Sequence, residues 1–137
     1  MRVPELPPPV VCVADDDDEM RAVVASSLAA LGYEVWQASD GRELLDQLLE
    51  GAARGTAAVL VVSDVAMPRL TGPRACAAAR SAGLSIPFIF MTAFVSAGGR
   101  SAAEAAGAVA VFDKPFDLDD LVAAVRLHAG PVSRSPR

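Results

Sequence analysis

The chain has 137 residues, which suits one domain, and 53% of them are hydrophobic, too many for a disordered protein. A net charge of −5 and a pI of about 4.7 argue against nucleic-acid binding as a main role, since that needs a cationic surface. No apolar run reaches the roughly 18 residues that span a bilayer, and the opening MRVPELPPP lacks a signal-peptide core, so a soluble, cytoplasmic protein is expected.

Residues 1–9 hold four of the ten prolines and read as an extended, disordered arm. VVCVA (10–14) is a short, continuously apolar strand, and Met20, Val23, Val24, Ser27, Leu28 and Leu31 then recur with a helical period. YEVWQA (33–38) alternates like a strand, with Trp36 as a packing residue. SDGRELLDQLLE opens with a capping pattern, Asp40 as cap and Glu43 three residues on, and Leu44, Leu45, Leu48 and Leu49 form its apolar stripe. AAVLVV (57–62) is the most apolar strand, as a sheet covered on both faces requires. TGPRACAAARSAG predicts an Ala-rich helix capped by Thr71, with Pro73 in its first turn. PFIFM (87–91) is a fourth strand, and residues 96–106 predict a fourth helix weakened by Gly98 and Gly99. VAVF (109–112) is a fifth strand. The last helix starts at Asp117 and Asp120 and carries Leu118, Leu121, Val122 and Val125 on one face. GPVSRSPR (130–137) reads as a frayed tail, which leaves one domain over 10–129. Cys12 and Cys76 form no CxxC and read as buried free thiols.

This is a strand and a helix repeated five times. The pattern implies an α/β fold, a doubly wound, five-stranded parallel sheet with right-handed crossovers. Such sheets bind ligands beyond the C-terminal ends of their strands. Strand one ends in Asp15, Asp16 and Asp17, and strand three ends in Ser63 and Asp64. Strand four ends in Met91, Thr92 and Ala93, and strand five runs into Asp113, Lys114 and Pro115. Carboxylates from two strands suit Mg²⁺, which prefers oxygen ligands. A carboxylate can also act as a nucleophile toward phosphorus, with a metal and a lysine neutralising the transferred group.

The segments VCVADDDDEMR, VLVVSDVAMPRLTG, FIFMTA and GAVAVFDKPF, in this order and spacing, resemble a response regulator receiver domain of two-component signalling, CheY-like and of the stand-alone type. The resemblance covers residues 10 to 129 and implies the flavodoxin-like (βα)5 fold with strand order 2-1-3-4-5. It implies that Asp64 is the phosphoacceptor. Asp16 would be a direct Mg²⁺ ligand, Asp15 would act mostly through water, and Asp64 and the Ala66 carbonyl would complete the set. Thr92 would bind the phosphoryl group and reposition on activation. Lys114 would pair with the acceptor carboxylate, and the Lys114–Pro115 bond would be cis. The implied partners are a histidine kinase or histidine phosphotransfer protein and a further downstream protein, with no nucleic acid and no membrane insertion. The domain would also catalyse its own phosphorylation and dephosphorylation.

Other residues have plainer readings. Asp18 and Glu19 sit where a helix begins, and the helix dipole favours acids there; Asp17 stays open between that reading and a site role. His128, the single histidine, suits the C-terminal end of the last helix. The sequence also departs from the family pattern. Val111 stands where an aromatic ring is usual, and Phe112 beside it should face the opposite side of the sheet. Ala66 and Phe94 occupy positions that tune phosphoryl lifetime in the family, with Phe94 a candidate water shield. Two rival readings stay in view. A haloacid dehalogenase-type phosphohydrolase would use Asp15 as nucleophile, although Glu19 stands where that pattern has Thr or Val. A phosphorylation-independent adaptor on the same fold would need none of the site residues.

Overall fold

The computed structural model describes residues 7–93 and 97–132. Most of the expected arm and tail, and Phe94, lie outside these residues. Among the described residues, five strands and five helices alternate: β1 (Val10–Ala14), α1 (Asp18–Ala30), β2 (Glu34–Ala38), α2 (Gly41–Ala53), β3 (Leu60–Asp64), α3 (Gly72–Ser81), β4 (Phe88–Ala93), α4 (Ala97–Ala105), β5 (Ala110–Lys114) and α5 (Leu118–Ala129). The strands are parallel and lie in the order β2-β1-β3-β4-β5.

Alternation along each central strand builds two cores. Cys12, Ala14, Val61, Phe88 and Phe90 face one side, against Leu44 and Leu48 of α2, Ala75 and Ala79 of α3, and Ala103 of α4. Val11, Val13, Leu60, Val62, Ile89 and Met91 face the other, against Val24 and Leu28 of α1 and Leu121 and Val125 of α5. Val111 and Phe112 divide as their spacing requires, Val111 against the first core and Phe112 against the second. Cys12 and Cys76 are free and buried, and burial pushes the Cys12 thiol up to about 12, which keeps it inert. Trp36 packs against the first core, and its indole N–H donates to Glu34 at 2.7 Å.

The helix starts follow side-chain chemistry. Asp17 accepts from the N–H groups of Glu19 and Met20, Asp40 from Glu43, Thr71 from Arg74 and Asp117 from Asp119. Glu43 reaches back in turn to the N–H of Ser39 at 2.7 Å, so the expected capping pattern is reciprocal. Three strands are displaced toward their C-terminal ends relative to the apolar runs. β3 takes in Ser63 and Asp64, β4 takes in Thr92 and Ala93, and β5 takes in Asp113 and Lys114. The cause is pairing: backbone ladders continue through polar residues as long as a neighbour offers a partner, as in Asp64↔Met91 and Ala93↔Lys114. In α1 the inward stripe is Val24, Ala25 and Leu28, while Val23 is left half exposed.

Two glycines face opposite steric conditions. A Cβ on Gly72 would lie 2.3 Å from the Asp64 carbonyl oxygen and 2.8 Å from Ser63 Oγ, whereas one on Gly98 would meet open space. Gly72→Ala is therefore expected to destabilise the fold by about 1–3 kcal/mol through overpacking. Gly98→Ala should stabilise it by up to about 0.5–1 kcal/mol through lost chain entropy. Urea denaturation midpoints check both signs.

Candidate functional site

The site grows from the ends of β1, β3, β4 and β5. Asp15 continues β1, since its N–H donates to the Ala38 carbonyl at 3.1 Å. Its side chain is wholly buried. One carboxylate oxygen accepts the Asp17 N–H at 2.9 Å, and the other accepts Lys114 Nζ at 2.9 Å. Lys114 Nζ also donates to Asp64 at 3.3 Å. The lysine was expected to pair with Asp64; it does so, and it lies closer still to Asp15, a contact between residues 99 apart in sequence. The Lys114–Pro115 bond is cis, as the resemblance implied.

Asp64 ends β3 and is largely buried. Burial pushes its carboxyl up to about 6. The Lys114 charge opposes that rise, the Asp15 charge adds to it, and hydrogen bonds from Lys114 and the Ala66 amide oppose it. For Lys114, burial works against the ammonium, but the hydrogen bond to Asp15 and the charges of Asp64 and Asp15 outweigh it and hold the group above the ordinary lysine value. Thr92 is buried one residue beyond Met91, the register partner of Asp64, and is itself paired with Asp113. Asp113 in turn binds Arg100 of α4 at 2.9 Å, a link that the sequence did not suggest.

Asp15, Asp16 and Asp64 offer carboxylate oxygens that all lie within 4.8 Å of one another. Opposed ligands on a small hard cation such as Mg²⁺ stand about 4 Å apart, so the cluster has the size that one such ion spans. The donors are all oxygen, with no histidine or cysteine among them, which suits a hard divalent cation better than zinc. Three ionised carboxylates facing one ammonium leave two negative charges unanswered, the charge of such an ion. Ala66 is an exposed loop residue whose amide supports Asp64. Asp17, left open by the sequence, is the α1 cap, while Asp18 in the first turn pairs with Arg21 at 2.8 Å.

Comparison with known proteins agrees with this geometry. The family model described as the response regulator receiver domain matches residues 11–126. The response regulator MprA of Mycolicibacterium vanbaalenii is 42% identical over 107 residues, covering 78% of this chain and 44% of that protein. The chain thus spans under half the length of such relatives. Among solved structures, the chemotaxis protein CheY4 of Vibrio cholerae is 29% identical with a TM-score of 0.74, covering 88% of this chain and 98% of that one. A Francisella response regulator receiver domain is 26% identical with a TM-score of 0.75, covering 88% and 96%. Fold, strand-end residues and relatives converge: the chain belongs to the response regulator receiver domain family of two-component signalling.

Proposed function

We propose that a unit over residues 10–129 accepts a phosphoryl group onto Asp64, with Mg²⁺, from the phosphohistidine of a histidine kinase or histidine phosphotransfer protein. The observation that carries this reading is the setting of Asp64: a strand-end carboxylate, 3.3 Å from Lys114 Nζ, within 4.8 Å of two more carboxylates. Asp15, Asp16 and Asp64, with the Ala66 carbonyl, would hold the Mg²⁺, which when bound offsets negative charge on the phosphoryl oxygens.

The chain's own groups supply the rest. A carboxylate oxygen of Asp64 attacks phosphorus, the P–N bond of the donor breaks, and the departing imidazole nitrogen keeps the electron pair and takes a proton from water. An acyl phosphate results. Lys114, already bonded to Asp64, is placed to follow the charge onto the phosphoryl oxygens. The Thr92 hydroxyl donates to one of those oxygens. Attack of water on the same phosphorus returns the carboxylate, so the domain catalyses its own dephosphorylation. Output runs through partner binding or onward transfer of the phosphoryl group.

The rival hydrolase reading needs Asp15 as nucleophile. Asp15 is fully buried, and both its oxygens are already engaged, one by the Asp17 amide and one by Lys114. Asp64 has the better claim to an incoming phosphorus, since its side chain keeps 12% exposure.

Acetyl phosphate with Mg²⁺ is expected to add one phosphoryl group to the protein, and Asp64→Asn should abolish the addition by intact mass. Equal labelling of the variant would sink the assignment, and no labelling by acetyl phosphate or a kinase would favour the adaptor reading. The raised Asp64 pKa has a defined sign. Between 3.8 and about 6 the folded state holds a proton that the unfolded chain releases, so this group's ionisation costs stability as pH rises through that window. The same proton competes with the metal, so Mg²⁺ affinity should weaken between about pH 7 and pH 5, as titration calorimetry at each pH would read. Lys114→Ala removes the cation bonded to a buried carboxylate and should cost about 3 kcal/mol or more without metal. Added Mg²⁺ should restore part of that loss in urea melts.

A further inference from the structure

Asp16 is the exposed member of the acidic cluster. Among the described residues its side chain takes part in no hydrogen bond or ion pair, so the backbone beside it is what the protein holds. Three bonds fix the backbone on either side of Asp16. The Asp15 N–H donates to the Ala38 carbonyl at 3.1 Å, and the Asp17 N–H donates to the Asp15 carboxylate at 2.9 Å. The third comes from α1: Arg21 Nη1 donates to the Asp15 carbonyl at 2.8 Å.

This third bond acts on the peptide unit that joins Asp15 to Asp16. The unit is planar, so holding its carbonyl oxygen also holds the Asp16 nitrogen and Cα. Arg21 is itself held on two other sides. Its Nη2 pairs with Asp18 at 2.8 Å, and its Nε donates to the Gln37 side-chain oxygen at 3.3 Å. The side chain is only 17% exposed. One guanidinium thus ties the β1–α1 loop to α1 and to the end of β2. A lysine cannot reproduce this, because it lacks the rigid planar fork.

We propose that Arg21 is a positioning residue for the metal, acting through the Asp15–Asp16 peptide to present Asp16 to the cation. The inference rests on the reading of Asp15, Asp16 and Asp64 as metal ligands. Charge and position predict opposite signs here. A cation beside a Mg²⁺ site repels the ion, so if Arg21 acted by charge alone, its removal would tighten binding. If it acts by position, its removal weakens binding.

The test is Mg²⁺ titration by calorimetry on the whole chain, with Arg21→Met, Arg21→Lys and Asp16→Asn, each checked for folding by circular dichroism. Arg21→Met is expected to weaken Mg²⁺ by about tenfold, the scale seen when a residue supporting a metal ligand is lost. Arg21→Lys should fall between Met and wild type. Mg²⁺ binding by Arg21→Met that is equal to or tighter than wild type overturns the proposal. Should Arg21→Met not fold, Arg21→Lys decides: weaker binding supports positioning, and unchanged binding overturns it. Asp16→Asn separates the two layers of the argument. If it leaves Mg²⁺ affinity unchanged, the metal-site reading itself fails and the role of Arg21 falls with it. If it weakens binding while Arg21→Met does not, only the role of Arg21 fails.

Discussion

One ammonium group between two buried carboxylates organises this molecule. Asp15 is fully buried and Asp64 nearly so, and a carboxylate taken out of water needs a cation and hydrogen bonds to stay charged. Lys114 answers both, at 2.9 and 3.3 Å. It can do so only because β1 and β3 are neighbours and because β5 ends on the same edge, two strands beyond β3. The apolar sandwich on both faces supplies the driving force for folding. The charges at the strand ends give that sandwich a reason to hold one register, since a slip of one residue would bury an unpaired carboxylate.

The same constraint bears on the proposed chemistry. A nucleophilic carboxylate must be ionised, yet a fully hydrated one is a poor nucleophile and is open to water. Asp64 sits between these limits. Burial lifts its pKa to about 6, while Lys114 and the Ala66 amide keep the rise from going further. It is therefore mostly charged at neutral pH without being freely solvated. Deeper burial without a further cation would protonate it, and loss of the Asp15 charge beside it would lower it again.

Much of this was legible in the sequence because periodicity and turn chemistry are local. The alternation of apolar runs with amphipathic segments gave the ten elements in order, and Asp40, Thr71 and Asp117 announced their helices. The end of β5 was harder to read: Asp113 and Lys114 are charged, and only pairing with β4 makes them strand, whereas Ser63–Asp64 and Thr92–Ala93 already stood as strand ends. Asp17 was ambiguous because a helix cap and a metal ligand are both carboxylates. Its two bonds to the Glu19 and Met20 amides settle its capping role. Arg21 closes the segment VCVADDDDEMR, but that segment assigns it no role. An arginine four residues into a helix start looks like a surface charge, and its bonds to the Asp15 carbonyl and Gln37 depend on how α1 sits over the end of β2.

The close approach at Gly72 has a consequence for how such a site can change over generations. The Gly72 N–H bonds the Val65 carbonyl at 3.0 Å, which closes the β3–α3 connection on itself, and the glycine leaves no room beside Asp64 for a side chain. A connection clasped in this way cannot easily lengthen next to Asp64. If Asp64 takes a phosphoryl group as proposed, discrimination among donors falls to the surrounding helical surfaces, where substitutions are cheap, and the chemistry beneath can stay the same while the circuitry around it diversifies.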